Sequence, residues 1–470
     1  MRGTRGGGAV VPAAAAVRSL CAAAACLLPV AAWAAVALDM EIRQVRETGD
    51  AQNPKRQETV AEVRVALGGA WSESSGEGRR EIHDYATRRI YDVDTGKGTV
   101  DDRSLFAPVA FRVMETANRR MIREVMAKAR LGAATSEAEQ QLATEHELSL
   151  RESRLKGGSG GPDLAVRDEA DGRHWGDGRR DLAVASREGF PLPEKDRAAY
   201  GRWLRNAHSL HPDVVAALLA AGQVPARLEA RYFNLDAPRG ALTITVRALR
   251  ALPDDAVPAP HATFRTAGVG APAAPGLEAL LARVSSESAD GFQERRRQVE
   301  RMAAEALNGG RIRDGVAAVL AASIITGDAG LGGALAGHRE QIAGDPAAAA
   351  LMAAIGTVPR DRASARAQAD RLREARAAIP TPALKAVEAN LRQAAGEVRD
   401  AEALLFEALE ADPYLIGAWM DLGRLYYGQY RTVQAWRCWD AARRLAPGHP
   451  MTRDIDDLEK RLVSGFPEFF

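Results

Sequence analysis

"GAWMDLGRLYYGQYRTVQAWRCWDAARRLAP", residues 417–447, holds three of the chain's seven tryptophans and three of its eight tyrosines. Aromatic residues make up only 5% of the 470 residues, so the concentration answers a local structural demand. Trp419, Leu422 and Tyr426 recur at helical spacing, and Ala435, Trp439 and Ala442 do so in the next segment. Gly423 and Ala435 are small where two paired helices would approach closely. Trp419, Tyr426 and Trp439 are large where the wedge between them must be filled, and aromatic side chains bury much area for little rotamer entropy. The stretch predicts a helical hairpin.

Working backward, Pro413 lies 34 residues before Pro447, and Ala401, Leu405 and Ala408 repeat the second-helix spacing. The preceding first helix is degenerate, with Lys385 and Arg392 at the large positions, although Leu384, Val387 and Leu391 keep an apolar stripe. Further back, Val299, Met302, Ala306 and Leu307 hold helical spacing and stop at "NGG", a C-cap signal. Ile312, Val316, Val319, Leu320 and Ser323 mark another helix ending at "TGD". Segments near 346–355 and 364–378 continue the habit, and from Leu277 onward nothing reads as a strand.

Trp419, Leu422, Gly423, Tyr426, Ala435, Trp439, Ala442 and Pro447 fill the pattern W-x2-L-G-x2-Y, A-x3-F, Ala and closing Pro, with Trp439 in the Phe position. On these residues the region resembles the tetratricopeptide repeat (TPR) family. The likeness is close over 382–447, with best units 382–415 and 416–449, and loose back to residue 277. "RDIDDLEKRLVSG" after Pro450 is similar to the polar helix that caps many such arrays. The resemblance implies an α-solenoid whose first helices line an inner face that binds a peptide or partner protein without chemistry. Carried over by position, that face would present Asn390, Gln393, Met420, Arg424 and Tyr427. An Arg and an Asn on one groove could hold a peptide carboxylate through a planar donor fork; ordinary solvated side chains are the other reading.

The N-terminal half alternates instead. Met40 and Ile42, then Val63, Val65 and Leu67, alternate with polar neighbours as half-buried strands do. "WSESSGEGRR" from Trp71 has loop composition, and the segment from Tyr85 to Asp102 reads as a hairpin turning at Thr95–Gly98. Asp92, Asp94 and Gly96 begin like a calcium loop, but Lys97 and Arg103 stand where its Gly and closing Glu belong. A helix with Val109, Val113, Met114, Ala117, Met121 and Val125 on one face follows. "DLAVRD" and "DLAVAS" are strands around a Gly-rich turn, "DRAAYGRWLRNAHSLHPDVVAALLAAG" is two helices broken near Pro212, and "ARLEARYF" with "ALTITVRAL" is a closing strand pair. The expected class is therefore α+β: an antiparallel β-rich domain with packed helices over 35–260, a Pro-rich linker over 261–276, and an all-α helical-hairpin solenoid over 277–470.

Arg2, Arg5 and Arg18 precede the apolar run Leu20–Ala35, and "AWA" at Ala32–Ala34 offers small residues for cleavage. This is the pattern of a secretory signal peptide over 1–34; a retained anchor, or lipidation at Cys26, are the alternatives. The expected address is the periplasm or the exterior of a bacterial-type cell, with peripheral envelope association and no transmembrane helix after cleavage. Cleavage would remove Cys21 and Cys26 and leave Cys438 without a disulfide partner, packed as a small apolar side chain. With 63 Lys and Arg against 62 Asp and Glu, no basic face for nucleic acid is expected.

Motifs for chemistry fail one by one. "EHELS" (145–149) is followed by Leu150 where a zinc-protease histidine belongs, and "GDAGLGG" (327–333) lacks a preceding strand. His208 and His211 read as a surface pair, and His174 with Asp177 and Asp181 as a polar loop cluster. No cofactor and no metal are expected. The functional expectation is an exported, non-catalytic adaptor for a protein or peptide. The alternative is an envelope enzyme or a lipid or lipoprotein carrier, with its site in the β-rich half and the repeats recruiting substrate.

Overall fold

Val36, Leu38 and Met40 are fully buried, whereas their neighbours Asp39, Glu41 and Arg43 form ion pairs on the opposite face. That alternation makes the first strand the centre of a one-sided sheet. The computed structural model describes residues 35–48, 55–128, 165–176, 181–208, 210–234, 237–253, 258, 265–266 and 275–470. The signal segment with Cys21 and Cys26, the 145–149 motif, Asp177 and nearly all of the Pro-rich linker lie outside these residues.

The chain is α+β. A meander of β1 (Ala35–Thr48), β2 (Lys55–Leu67), β3 (Trp71–Gly76), β4 (Arg79–Asp84), β5 (Arg89–Asp94) and β6 (Thr99–Ser104) leads into helix α1 (Phe106–Lys128). Next come β7 (Ala165–Glu169), β8 (Gly172–Gly176), β9 (Asp181–Ala185) and β10 (Gly189–Pro191). Helices α2 (Glu194–His208) and α3 (Pro212–Ala221) precede β11 (Gln223–Pro225), β12 (Arg227–Asn234), β13 (Ala237–Leu252) and β14 (Arg265–Thr266). The main sheet runs β14-β6-β5-β4-β3-β2-β1-β13-β12-β9-β8-β7, antiparallel except for the β14–β6 contact; β10 and β11 pair separately. β13 returns to pair with β1, placing Val246 opposite Met40, so the closing strand sits mid-sheet. Val65, Leu67, Leu242, Ile244 and Val246 join Val36, Leu38 and Met40 beneath α2 and α3, whose Tyr200, Trp203, Leu204, Val214 and Val215 complete the core. A one-residue slip would turn this apolar set to water, which pins the register.

Three sequence expectations need correction here. "WSESSGEGRR" is the β3–β4 hairpin, not a loop, with Glu77 and Gly78 at φ 49° and 75° as a tight two-residue turn requires. Its serines are tolerated in the sheet because each finds a partner: Ser72 Oγ lies 2.9 Å from Tyr85 Oη, Trp203 Nε1 donates to Ser74 Oγ at 3.0 Å, and Ser75 Oγ donates to the Arg64 carbonyl at 3.3 Å. The Gly-rich turn between β7 and β9 contains strand β8, anchored by buried Trp175. His208 and His211 are not a surface pair: His211 is buried and His208 half-buried. His211 caps α3 by accepting from the Asp213 amide, while His208 packs edge-on against Trp203, and burial pushes its pKa down to about 4. The Thr95–Gly98 turn is as expected, closed by the Asp94 carboxylate accepting from the Lys97 amide.

The helical region comprises α4 (Pro275–Val284), α5 (Ala289–Asn308), α6 (Ile312–Thr326), a 3-10 segment (Ala329–His338), α7 (Arg339–Gly344), α8 (Pro346–Ile355) and α9 (Arg362–Ala378). It continues through α10 (Pro382–Ala395), α11 (Val398–Ala411), α12 (Ile416–Gly428), α13 (Thr432–Leu445) and α14 (Arg453–Gly465). Among the described residues from 275 onward all regular elements are helical. The hairpins α5/α6, α10/α11 and α12/α13 turn identically. Arg311, Glu397 and Arg431 amides donate to the Ala306, Arg392 and Tyr426 carbonyls at 2.8, 2.8 and 3.0 Å. Each bond follows a left-handed residue, Gly310 (φ 71°), Gly396 (φ 84°) and Tyr430 (φ 62°). A side chain in that conformation costs about 1–2 kcal/mol, and Tyr430 is 41% exposed. Tyr430→Asn, which tolerates the conformation, is expected to raise stability by about 0.5–1 kcal/mol. Urea unfolding checks this; a loss would show that ring contacts of Tyr430 outweigh the backbone term.

The two halves share a core. Phe106, Val109 and Ala110 of α1 belong to the same buried cluster as Trp419, Trp436 and Trp439. Phe106 stacks on Trp436 with ring centroids 6.4 Å apart, and Phe470 closes on Phe106 at 5.1 Å. Arg437 of α13 pairs with Asp101 of β6 and, at 3.2 Å, with Glu278 of α4.

Candidate functional site

The first helices α10 and α12 and the closing helix α14 carry a polar row that is exposed apart from half-buried Asp421. Asn390 Nδ2 on α10 donates to Asp421 Oδ2 on α12 at 2.8 Å. Arg424, one turn further on α12, donates to Asp421 Oδ1 and to Asp454 Oδ2 on α14, both at 3.1 Å. Gln393 lies one turn beyond Asn390 and is exposed. Tyr427 is half-buried, its ring 5.9 Å from Trp436 and 5.8 Å from Trp439. Burial raises the Asp421 pKa above the usual carboxylate range, opposed by Asn390 and Arg424. Side chains on the alternate helices α10, α12 and α14 are thus wired together by hydrogen bonds.

Two expectations about this face change. Met420 is 0% exposed and does not line a groove. Helix α6 lies across α10 and α12, and Met420 is buried in one cluster with Ala321, Ala322 and Ile325 of α6 and Ala383 and Ala386 of α10. The approach is close: a Cβ on Gly417 would meet Ile324 Cγ2 at 3.0 Å, and His449 Nε2 sits 2.9 Å from the Ile325 carbonyl. Small residues on all three helices permit this contact, which explains the alanine-rich composition of α6. The second change concerns charge. Arg424 and Asn390 do face one surface, but both already serve Asp421, so a peptide carboxylate would have to displace an acidic partner. The row offers a balanced set of donors and acceptors, not a free cation.

The structural positions behave as their spacing implies. Trp419, Leu422, Tyr426, Ala435, Trp439 and Ala442 are buried, as is Gly423, whose missing Cβ leaves room for the Trp439 indole. Trp419 Nε1 donates to the Pro413 carbonyl at 2.9 Å, and Tyr426 Oη donates to Glu402 at 2.8 Å with Arg431 over its ring. Pro447 is exposed at the end of the hairpin. Cys438 is fully buried and free, and burial raises its thiol pKa, which makes it a packing residue rather than a nucleophile.

Two clefts escaped the sequence. One of about 400 Å³ lies between β7–β9 and α3, floored by Trp175, Ala185 and Leu218 and rimmed by Asp168, Arg173 and Arg187. The other, about 610 Å³, lies where the sheet meets the helices, between Arg89, Asp102, Glu278, Arg437, Asp440 and Arg444. Both join segments far apart in the chain, and no local pattern announces them. Four histidines serve local structure: His83 meets Glu81 at 2.8 Å, His338 meets Gln341 at 2.9 Å, His211 caps α3 and His449 caps a short 3-10 turn. "GDAGLGG" follows helix α6 rather than a strand. Among the described residues no helix is long and apolar enough to cross a membrane. No family model matches the chain, and no curated protein matches it.

Proposed function

We propose that the protein is an exported, non-catalytic adaptor whose tetratricopeptide-like C-terminal region binds a protein or peptide partner. One observation carries the reading: exposed Asn390, Gln393, Arg424 and Asp454, with half-buried Asp421 between them, form a polar row across the alternate helices α10, α12 and α14 beside the docked α6. Fixed donors and acceptors on rigid helices suit an extended peptide, whose backbone needs partners at regular intervals. The docked α6 covers part of the face of α10 and α12 and holds it rigid, which lowers the ordering cost on binding.

The test compares the mature full chain with Asn390→Ala/Gln393→Ala and Arg424→Glu variants in capture from envelope extract, followed by titration of the captured partner. Both substituted faces are exposed, so folding should survive, and circular dichroism checks that. The expected result is at least a tenfold weaker Kd, about 1.4 kcal/mol, for each variant. A partner captured equally well by wild type and both variants would remove this face from the proposal.

A further inference from the structure

The charged outer face of the sheet carries an imidazole held in an unusual way. The β7–β8 hairpin places Arg167 opposite His174 and Glu169 opposite Gly172, with Asp171 in the turn and Asp181 opening β9. His174 is only 6% exposed. Its Nδ1 lies 3.0 Å from Asp181 Oδ2 and its Nε2 lies 2.9 Å from Asp171 Oδ1. A neutral imidazole has one N–H and one lone pair. One carboxylate would therefore face a lone pair at hydrogen-bond distance, so the arrangement calls for a cation: a second proton or a metal ion.

Glu169 distinguishes the two. A second proton needs only Asp171, yet Glu169 brings a third ligand atom within 4.8 Å of the other two. The ligand atoms of Glu169, Asp171 and His174 all lie within 4.8 Å of one another, and theirs is the one such group among the described residues. Ligands at about 2.0–2.2 Å around a tetrahedral ion stand roughly 3.4 Å apart, so small side-chain movements complete the set. Asp171 and Glu169 have the room to make them, with side chains 71% and 49% exposed. His174 is held from behind by Asp181, which Arg167 anchors at 2.6 Å while also reaching Glu169 at 3.1 Å. A carboxylate backing the far nitrogen of a ligating histidine fixes its tautomer and raises its basicity.

We propose that Glu169, Asp171 and His174 bind a zinc-class divalent ion through His174 Nε2 and the two carboxylates, with Asp181 orienting the imidazole. One nitrogen and two oxygens suit a borderline ion with a fourth position open to water or a partner's side chain. Magnesium and calcium prefer larger all-oxygen shells.

The experiment is calorimetric titration of the metal-stripped mature chain with zinc, and separately with magnesium, beside Asp171→Asn, His174→Gln and Asp181→Asn. One-to-one zinc uptake at micromolar concentration is expected, without magnesium uptake. Asp171→Asn and His174→Gln should each weaken it at least tenfold, and Asp181→Asn by about tenfold. Asp171 is exposed in a turn, so that variant tests the site even if His174→Gln perturbs the hairpin. No stoichiometric zinc uptake by the wild type, or wild-type affinity in Asp171→Asn, overturns the proposal.

Discussion

Trp439→Ala is expected to destabilise the protein by about 3–5 kcal/mol, the range for truncating a fully buried tryptophan. Trp439 is 1% exposed, lies edge-on to Trp436 at 4.9 Å, and donates through Nε1 to the Met420 carbonyl at 3.3 Å. Its indole occupies the space opened by Gly423, so the cavity would fall between α12 and α13 where neither helix can close up without moving the other. The loss reaches further than one hairpin because Trp436 carries the contact onward to Phe106 of α1. Trp439→Phe should cost less, since the ring remains and about 1 kcal/mol of hydrogen bonding is lost. Urea unfolding followed by circular dichroism measures both. A Trp439→Ala loss below 1 kcal/mol would contradict the packing described for this hairpin.

The second large effect concerns the junction. Arg437→Gln is expected to cost about 3–5 kcal/mol at neutral pH, because it leaves a buried carboxylate without its cation. Asp101 is 7% exposed; burial pushes its pKa up, and Arg437 is the largest influence pulling it back. Without Arg437 the Asp101 pKa should rise further. A carboxyl whose folded pKa exceeds its unfolded value favours folding when protonated, and it loses that contribution as pH rises through the interval between the two. The Arg437→Gln penalty should therefore be small near pH 4, around the unfolded value for Asp, and grow toward pH 7. Arg437→Met/Asp101→Leu should recover most of the loss, since an apolar pair of similar volume removes both charges. Equal penalties at both pH values would show that Asp101 is not the group left stranded.

Element type was legible where one rule governed the residues. Strand alternation located β1, β2, β12 and β13, and the spacing of small and large residues located α12 and α13. Legibility failed where polar residues met buried partners. Ser72 and Ser74 look like loop residues until Tyr85 and Trp203 supply their hydrogen bonds, and His208 looks solvated until α2 folds it against Trp203. The candidate surface was legible in part. Asn390, Gln393 and Arg424 are exposed on α10 and α12, whereas Met420 is buried among residues of α6 and α10.

Sequence alone determined the order of a strand-rich half and a helical half, the hairpin of residues 417–447, and the burial of Trp419, Tyr426 and Trp439 within it. Each of these rests on residues within a few turns of one another, where periodicity and side-chain volume suffice. Tertiary structure decided that α6 occupies the face of α10 and α12, that Asp421 satisfies Arg424 and Asn390, and that α1 joins the aromatic core. These contacts depend on side chains brought together by packing against third elements, and their free energy exists only once the whole surface has closed.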